Sequence, residues 1–278
     1  MRTLLIPVDA NTTYLTLIDY AAAWVKKYEY QRVVLLQSLY ENVFSTMAMS
    51  ADFVAVHPDN ISQHRENVMW KLNDLAQALQ RIVGASVEVT MAWSELPLLR
   101  AIMDAIHTEN PQLVMLENKN SDDIISTSLI AIAKASPVRV LVVPAGMAYQ
   151  PVEKAMIPVD FKALQTLDKI KHFQHTPLWV PSELVILNVD PQQHYQHPTE
   201  EFNTAMEKLK SYLHKYNFHV EFRDDEDIIS GIVDYAHNGS IQLIVALPGK
   251  HSFLYTLTHK SISEGIYKAA QLPVMILK

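Results

Sequence analysis

The chain contains no cysteine among its 278 residues. Disulfide bonds, metal sites built on thiolates and cysteine nucleophiles are therefore all excluded. Proteins of the reducing cytosol do without disulfides, so we expect a cytoplasmic location.

A surplus of positive charge is also missing. The 23 lysine and arginine residues are outnumbered by 30 aspartate and glutamate residues, which gives a formal net charge of −7. A basic surface is what attracts the phosphates of nucleic acids and of anionic membranes. We therefore expect neither nucleic acid nor a membrane among the partners.

Long apolar runs are absent as well. No run approaches the roughly 20 residues that span a bilayer, and the N-terminal apolar stretch is broken by Pro7 and Asp9, which argues against a signal peptide. Hydrophobic residues nevertheless make up 49% of the chain. A chain of this length and content holds enough apolar side chains for two separate cores.

One short sequence, Ile-Pro-Val-Asp, occurs twice, at 6–9 and at 157–160. Each copy ends an apolar run and precedes a helical pattern, as the first strand of a doubly wound unit does. The two halves also end in similar strands, at 136–143 and 272–277. We therefore predict a duplication, with domains at 1–146 and 152–278 and a linker around 144–153.

Strands alternate with helices in both halves. The predicted strands lie at 3–8, 32–38, 86–93, 112–116 and 138–143, and at 154–159, 182–189, 219–222, 242–246 and 273–277. The predicted helices lie at 12–28, 61–82, 95–107 and 124–135, and at 163–175, 199–216, 227–237 and 261–270, with a long crossover loop at 40–60. This alternation predicts an α/β fold with two tandem doubly wound domains, each a five-stranded parallel sheet flanked by helices.

Four features together resemble the universal stress protein family. They are the strand ending in Ile-Pro-Val-Asp, the strand at 243–246 with its following loop, a helix beginning at Ser261, and the terminal Leu-Pro-Val-Met-Ile-Leu. Ser261 lies twelve residues before Pro273, as the Ser or Thr of the family's nucleotide motif lies before its terminal Pro-Val strand. The resemblance covers nearly the whole chain as two family domains. It implies a stress-response protein whose fold is related to the adenine nucleotide alpha hydrolase-like folds.

The glycines of the family's phosphate loop are missing from the second domain. Nucleotide-binding members carry Gly-x2-Gly-x9-Gly-Ser/Thr after the fourth strand, where small residues let backbone N–H groups approach the phosphates. An ungapped alignment from Ser261 places Leu247, Lys250 and Lys260 at the three glycine positions, with Gly249 as the nearest substitute. The resemblance therefore implies no cofactor, and leaves ATP or AMP in the second domain as the alternative.

The first domain departs further from the family pattern. Ser126 and Thr127 take the Gly-Ser/Thr position, and the segment at 117–125 before them is short and free of glycine. It carries three carboxylates, Glu117, Asp122 and Asp123, which would repel a triphosphate. We expect no nucleotide in this domain.

The candidate ligand-binding residues of the second domain follow the C-terminal ends of predicted strands: Asp160, Gly249, Lys250, Ser252, Lys260 and Ser261. The weaker counterpart in the first domain is Asp9, Ser126 and Thr127. The resemblance places the two aspartates beside a base or ribose, whereas the alternative is that each caps its own turn. The lysines and a helix N-terminus favour a compact anion such as phosphate, sulfate or a small carboxylate. The alternatives are a solvated basic loop and, at 261–264, a plain helix capping box.

The sequence gives little support for a catalytic site or a metal site. The chain has no Gly-x-Ser-x-Gly, His-Glu-x2-His or Walker sequence. Two histidine pairs, at 172 and 175 and at 194 and 197, have a spacing that a metal can use, but they are predicted at opposite edges of the sheet. The acidic run at 224–227 reads as the first turn of a helix. We expect no metal and no enzyme activity.

Three hypotheses follow. The leading one is a non-catalytic stress-response protein that acts through contacts with an unknown protein partner or through a small anion. The second is an ATP- or AMP-binding switch in the second domain, and the third is an enzyme of the wider nucleotide-binding class. The last strand of each domain would otherwise expose an apolar edge. We therefore predict an intramolecular pseudo-dimer through these strands, with a further homodimer left open.

Overall fold

The computed structural model describes residues 1–11, 15–40, 58–119, 124–161, 168, 170, 182–247 and 271–278. The chain divides into two compact units, Met1–Tyr149 and Gln150–Lys278. Each unit contains one five-stranded parallel sheet with flanking helices, so the predicted fold class is confirmed. No helix in the described part of the chain combines the length and the apolar content that crossing a membrane requires.

The first unit follows a regular strand and helix alternation. Its elements are β1 (Thr3–Val8), α1 (Leu15–Lys27), β2 (Arg32–Ser38), α2 (Pro58–Val83), β3 (Glu88–Ser94), α3 (Leu98–Glu109), β4 (Leu113–Asn118), α4 (Ile124–Ala135) and β5 (Arg139–Pro144). The strands are parallel in the order β3-β2-β1-β4-β5. The chain reverses its direction of winding between β1 and β4. Doubly wound sheets bind ligands at such a point, outside the carboxyl ends of the strands.

The second unit repeats this arrangement. Its elements are β6 (Lys154–Pro158), β7 (Glu183–Val189), a 3-10 turn (His194–Gln196), α5 (Glu200–Leu213), β8 (Phe218–Arg223), α6 (Ile228–Asn238), β9 (Leu243–Ala246) and β10 (Val274–Ile276). The strand order is β8-β7-β6-β9-β10, and all pairs are parallel. The two strands that contain the repeated Ile-Pro, β1 and β6, therefore hold the same place in their sheets, beside the reversal of winding.

The central strands are buried on both faces. Every residue of β1 and of β4 is buried, whereas β3 and β8 are exposed or half-buried along their length. Helices cover both faces of a doubly wound sheet, so its inner strands carry continuous apolar runs and only its edge strands contact solvent. The burial of β1 on both faces explains why residues 3–8 form an almost unbroken apolar segment in the sequence.

Three helix ends in the described residues have an identifiable cause. The α2 helix ends at Gly84, which has a left-handed φ of 78° and donates its N–H to the Gln80 carbonyl at 2.9 Å. At the start of α5, the Thr199 hydroxyl accepts the Phe202 N–H at 3.2 Å. At the start of α6, the Asp227 carboxylate accepts the Ser230 N–H at 2.8 Å. The predicted stop at Gly84 is confirmed.

Several predicted bounds are wrong. The strand predicted to end at Leu116 continues through Glu117 and Asn118, which pair with β5. The helix predicted from Glu95 starts at Leu98, because the Ser94 hydroxyl accepts the Leu96 N–H at 3.2 Å and holds the chain in a turn. The crossover loop predicted at 40–60 overlaps α2, which begins at 58, and its residues 41–57 lie outside the described part of the chain. The predicted helix at 261–270 and most of that at 163–175 lie outside the described residues.

Candidate functional site

Asp9 lies directly after β1, at the carboxyl edge of the first sheet. Its Oδ1 accepts the Asn11 N–H at 3.0 Å, so Asp9 caps the following turn, as the simpler interpretation expects. The neighbouring strand fixes the same segment, because Gln37 Oε1 of β2 accepts the Ala10 N–H at 2.8 Å. Gln37 is only 2% exposed. The backbone around Asp9 is therefore held from two sides.

The second unit has an equivalent amide. Asn188 is the sixth residue of β7, as Gln37 is the sixth residue of β2. Its Nδ2 donates to the Val159 carbonyl at 2.9 Å and so ties the end of β6 to β7, next to Asp160. Asn188 is 5% exposed, and its Oδ1 is buried without a hydrogen-bond partner in the described part of the chain. A buried acceptor left unpaired carries a free-energy cost that a bound donor would remove.

Neither amide was among the predicted site residues. In the sequence, Asn188 is a single polar residue in the run LVILNV of β7, and Gln37 begins the polar end, Gln37-Ser38, of the run VVLLQS in β2. A polar residue in a strand that is buried on both faces needs a specific partner. That pattern could have identified both residues.

The end of β4 carries a buried ion pair. Lys119 Nζ lies 3.4 Å from Glu117 Oε2, and the two side chains are 7% and 1% exposed. The β1–β4 register pairs Leu4 with Leu113, and its continuation sets Asp9 level with the end of β4. The ion pair therefore lies at the crevice of the first unit. The prediction that Glu117 lies in the segment after the strand is wrong, because the residue belongs to β4, where its carboxylate pairs with Lys119.

A hydrogen-bonded aspartate–histidine pair follows β7. Asp190 Oδ2 accepts the His194 backbone N–H at 2.9 Å and the His194 Nδ1–H at 2.8 Å, while Oδ1 accepts the Gln192 N–H at 3.2 Å. Burial alone would raise the pKa of Asp190, but these hydrogen bonds outweigh it and hold the pKa below its ordinary value. The pair was not predicted. Within the described ranges, no group of three histidine, aspartate or glutamate residues is arranged to hold a metal ion.

Aromatic rings pack beside this pair. Tyr195 stacks on Phe222 with 4.8 Å between ring centroids, and Phe161 lies 4.8 Å from Phe202 and 6.2 Å from Phe222. Phe161 is the residue after Asp160, and Phe222 belongs to the edge strand β8. The rings therefore anchor the residues that follow β6 and β7 to the body of the unit.

The acidic run at 224–227 was predicted to form the first turn of a helix, but it directly precedes α6, whose first turn holds no acidic residue. Asp227 caps α6, and Asp225 makes a two-bond contact with the Arg223 guanidinium at 2.9 and 3.1 Å. Asp224 accepts a hydrogen bond from Gln193 Nε2 at 2.7 Å. Each of these three carboxylates thus has a partner in the protein.

The described residues include only part of the predicted site. Asp160 is half-buried at the carboxyl end of β6, which corresponds to the position of Asp9 after β1. Ser126 and Thr127 lie in the first turn of α4. The other predicted residues of the second unit lie outside the described part of the chain: Gly249, Lys250, Ser252, Lys260 and Ser261. The two aspartates are thus the predicted site residues that the structure places at the crevices.

Similarity to known proteins is visible in the structure and not in the sequence. No protein-family model matches the chain, and no curated protein matches it. A universal stress protein from Archaeoglobus fulgidus matches with a TM-score of 0.63 at 14% identity, over 99% of this chain and 96% of that one. A putative universal stress protein from Pseudomonas aeruginosa matches with a TM-score of 0.58 at 16% identity, over 100% and 93%.

A protein of unknown function from Pseudomonas aeruginosa PAO1 also matches, with a TM-score of 0.56 at 16% identity over 100% of this chain and 92% of that one. The class is therefore a doubly wound α/β protein with helices on both faces of a parallel sheet. More narrowly, the chain has the fold of the universal stress proteins, and the predicted resemblance is confirmed at the level of the fold.

Proposed function

We propose that this chain is a tandem universal stress protein without catalytic activity, which acts through protein contacts or through a small anion bound to the second unit. The similarity to a universal stress protein over 99% of the chain supports the tandem organisation. The observation that carries the proposal is the buried Glu117–Lys119 pair at the first crevice, set against the lysines at 250 and 260 in the sequence of the second unit.

The first crevice offers no net positive charge from β4. Lys119 is the cation at the end of that strand, and its ammonium group is compensated by the buried carboxylate of Glu117 at 3.4 Å. A paired charge in a poorly solvated position attracts a further anion only weakly. We therefore assign no nucleotide to the first unit.

The β9 strand of the second unit ends beside Asp160. The β6–β9 register pairs Met156 with Ile244, and its continuation sets Val159 level with Leu247. Leu247 therefore lies next to Asp160, and the sequence that follows it contains Lys250 and Lys260. Lysines in place of glycines supply charge without a backbone cradle, which suits phosphate, sulfate or a small carboxylate better than an adenine nucleotide.

One observation favours the alternative, an ATP- or AMP-binding switch in the second unit. Asn188 Oδ1 is a buried acceptor at the same sheet edge without a partner among the described residues. The amino group of a bound adenine is a donor that would satisfy it. Under this alternative Asn188 is a direct ligand contact, whereas under the anion proposal it only ties β6 to β7.

Two measurements on the full chain separate these functions. In the first, protein purified without added ligand is denatured and the released nucleotide is quantified. In the second, isotope-labelled protein is titrated with phosphate and with ATP, and the amide resonances of residues 250–264 are followed by NMR. The anion proposal expects no nucleotide, phosphate-dependent shifts that fall with salt, and weaker binding in Lys260→Ala. Lys215→Ala removes an exposed lysine of the same unit and is the matched control.

Copurified nucleotide, or micromolar ATP binding that Asn188→Leu weakens, would establish the switch instead. If neither phosphate nor ATP moves these resonances, the proposal of a small-anion ligand fails and action through protein contacts is the part that is left.

The pairing of the two units through 138–143 and 273–277 stays a prediction, and a cysteine cross-linking scan across these two strands tests it. The cytoplasmic location also stays a prediction.

A further inference from the structure

The β3 strand forms one edge of the first sheet, with β2 on its inner side. Its side chains alternate between the two faces of the sheet, so Val89, Met91 and Trp93 share one face. Met91 is 42% exposed and Trp93 is 49% exposed. Folded proteins usually block or charge such edges, because an open apolar edge pairs with other chains.

Part of this edge is already closed by α2. Gln80 Oε1 accepts the Val89 N–H at 3.3 Å, and Gln80 Nε2 donates to the carbonyls of Val87 at 3.0 Å and Gly84 at 2.7 Å. The amide side chain thus takes the place of a neighbouring strand at one end of β3. The other end has no equivalent among the described side chains.

The backbone orientation shows which groups are open. The Glu88 N–H donates to Gln31 and the Ser94 carbonyl accepts from Leu39, so the even-numbered residues of β3 face β2. Backbone groups alternate along a strand, and those of Met91 and Trp93 therefore face outward, as the Val89 N–H does. Within the described ranges these outward groups have no hydrogen-bond partner.

The charges around the open segment are compensated. Arg65 Nη1 lies 3.0 Å from Glu95 Oε1, and the Arg65 guanidinium lies 4.6 Å from the centre of the Trp93 ring. Glu88, at the start of the strand, contacts Arg32 at 3.6 Å. A second strand approaching Met91 and Trp93 would therefore meet apolar side chains and backbone donors and acceptors, without a surplus of like charge.

We propose that the segment 91–93 is a self-pairing site, to which a second copy of the chain adds its own β3 in antiparallel orientation, with Met91 opposite Trp93 of the second copy. A two-fold axis then repeats the same pair, and each pair exchanges two backbone hydrogen bonds. The register with Met91 opposite Met91 would instead set Trp93 against Val89, whose N–H Gln80 already holds. The proposed register uses only residues whose outward backbone groups are open.

The side chains suit this register. Each methionine sulfur would approach the indole of the opposite tryptophan, a favourable contact. The interface is short, and small interfaces form weak, transient complexes. We therefore expect a dimer that appears at micromolar and higher concentrations. An extended peptide of another protein is the competing occupant, and it would leave the chain alone monomeric.

Sedimentation equilibrium of the full chain over a range of concentrations tests the site. We expect a monomer–dimer equilibrium that Met91→Lys weakens by at least about tenfold, since a charged residue on an edge strand opposes pairing. Trp70→Lys is the matched control, because Trp70 is an exposed apolar residue of the same unit, on α2, and lies outside the strand. A monomer at every concentration, or a dimer that Met91→Lys leaves unchanged, would overturn the proposal.

Cysteine cross-linking tests the register. The chain has no cysteine, so Ala92→Cys introduces a single thiol. In the proposed register Ala92 faces Ala92 of the second copy with about 4.5 Å between Cα atoms, within disulfide reach. Two thiols at position 90 would instead lie about 13 Å apart. Mild oxidation should link Ala92→Cys and not Thr90→Cys, and the opposite result would overturn this register.

Discussion

Gly231 shows how a single residue of α6 is fixed by its surroundings. A Cβ at this position would lie 2.8 Å from Asp225 Oδ2 and 2.9 Å from Asp225 Cβ, and the Asp225 carboxylate is held by Arg223. Alanine normally stabilises a helix interior by about 1 kcal/mol relative to glycine, whereas overpacking costs about 1–3 kcal/mol. We expect Gly231→Ala to lower the free energy of unfolding by about 1 kcal/mol, measured by urea denaturation.

The Asp225→Gly background provides the control. It removes both the carboxylate and the Cβ that the new methyl group would contact, and it also removes a partly exposed ion pair of small value. In that background Gly231→Ala should stabilise the protein by up to about 1 kcal/mol. The same sign of effect in both backgrounds would show that Asp225 is not the reason for the glycine.

Local sequence identified some of these residues and missed others. The acidic run at 224–227 was predicted beside a helix start from neighbouring residues alone, although it precedes the helix and does not form its first turn. Gln37 and Asn188 were missed because their roles depend on a strand far away in sequence, which the amide reaches only once the sheet has formed. Asp190 and His194 are four residues apart, but nothing local shows that the chain turns back between them.

At the scale of elements, Gln80 is the residue that joins α2 to the edge of β3. Gln80→Ala removes its hydrogen bonds to Gly84, Val87 and Val89, each worth about 0.5–1.5 kcal/mol. We expect a loss of about 1–2 kcal/mol in the free energy of unfolding, measured by urea denaturation, together with stronger self-association because the open edge becomes longer.

Gln77→Ala is the matched control for this substitution. Gln77 is exposed on the same helix, and surface substitutions of this kind usually change stability by less than about 0.5 kcal/mol. Equal effects at positions 77 and 80 would mean that the amide contacts with β3 contribute nothing measurable.

Most elements could be predicted, and the errors have a common cause. The helix at 124–135 was predicted with the bounds that the structure shows, and the buried strands were recognised by their continuous apolar runs. The prediction ended β4 before Glu117 because a charged residue usually leaves a buried strand. Glu117 stays in the sheet because it pairs with Val143 of β5 and because Lys119 compensates its charge. Neither contact can be predicted from the local sequence pattern.

At the scale of the whole molecule, fold and function differ in how far the sequence determines them. The repeated Ile-Pro-Val-Asp and the alternation of strands and helices were sufficient for the fold, which the solved structures confirm although identity is only 14–16%. A fold of this kind is shared by proteins with different activities. We expect the function to depend on the crevices, where Asp9 and Asp160 follow the equivalent strands β1 and β6.

The two units should therefore differ in ligand stoichiometry. Calorimetric titration of the full chain with phosphate should show no more than one site per chain, because the buried carboxylate of Glu117 compensates Lys119 in the first crevice. Glu117→Gln removes that carboxylate with little change in shape. It should lower the free energy of unfolding by about 3 kcal/mol, as breaking a buried pair does, and phosphate should recover part of the loss by binding near Lys119.

Glu207→Gln makes the same change in net charge at an exposed side chain, which is 73% accessible, and is the matched control. Phosphate should not stabilise that variant more than the wild type, because the carboxylate that is removed is exposed to solvent, where its charge is already screened. Two phosphate sites in the wild-type chain, or equal phosphate effects on Glu117→Gln and Glu207→Gln, would contradict the assignment of the first crevice. The comparison separates a local effect of the buried pair from a general effect of the negative charge of the chain, since both variants carry one negative charge fewer.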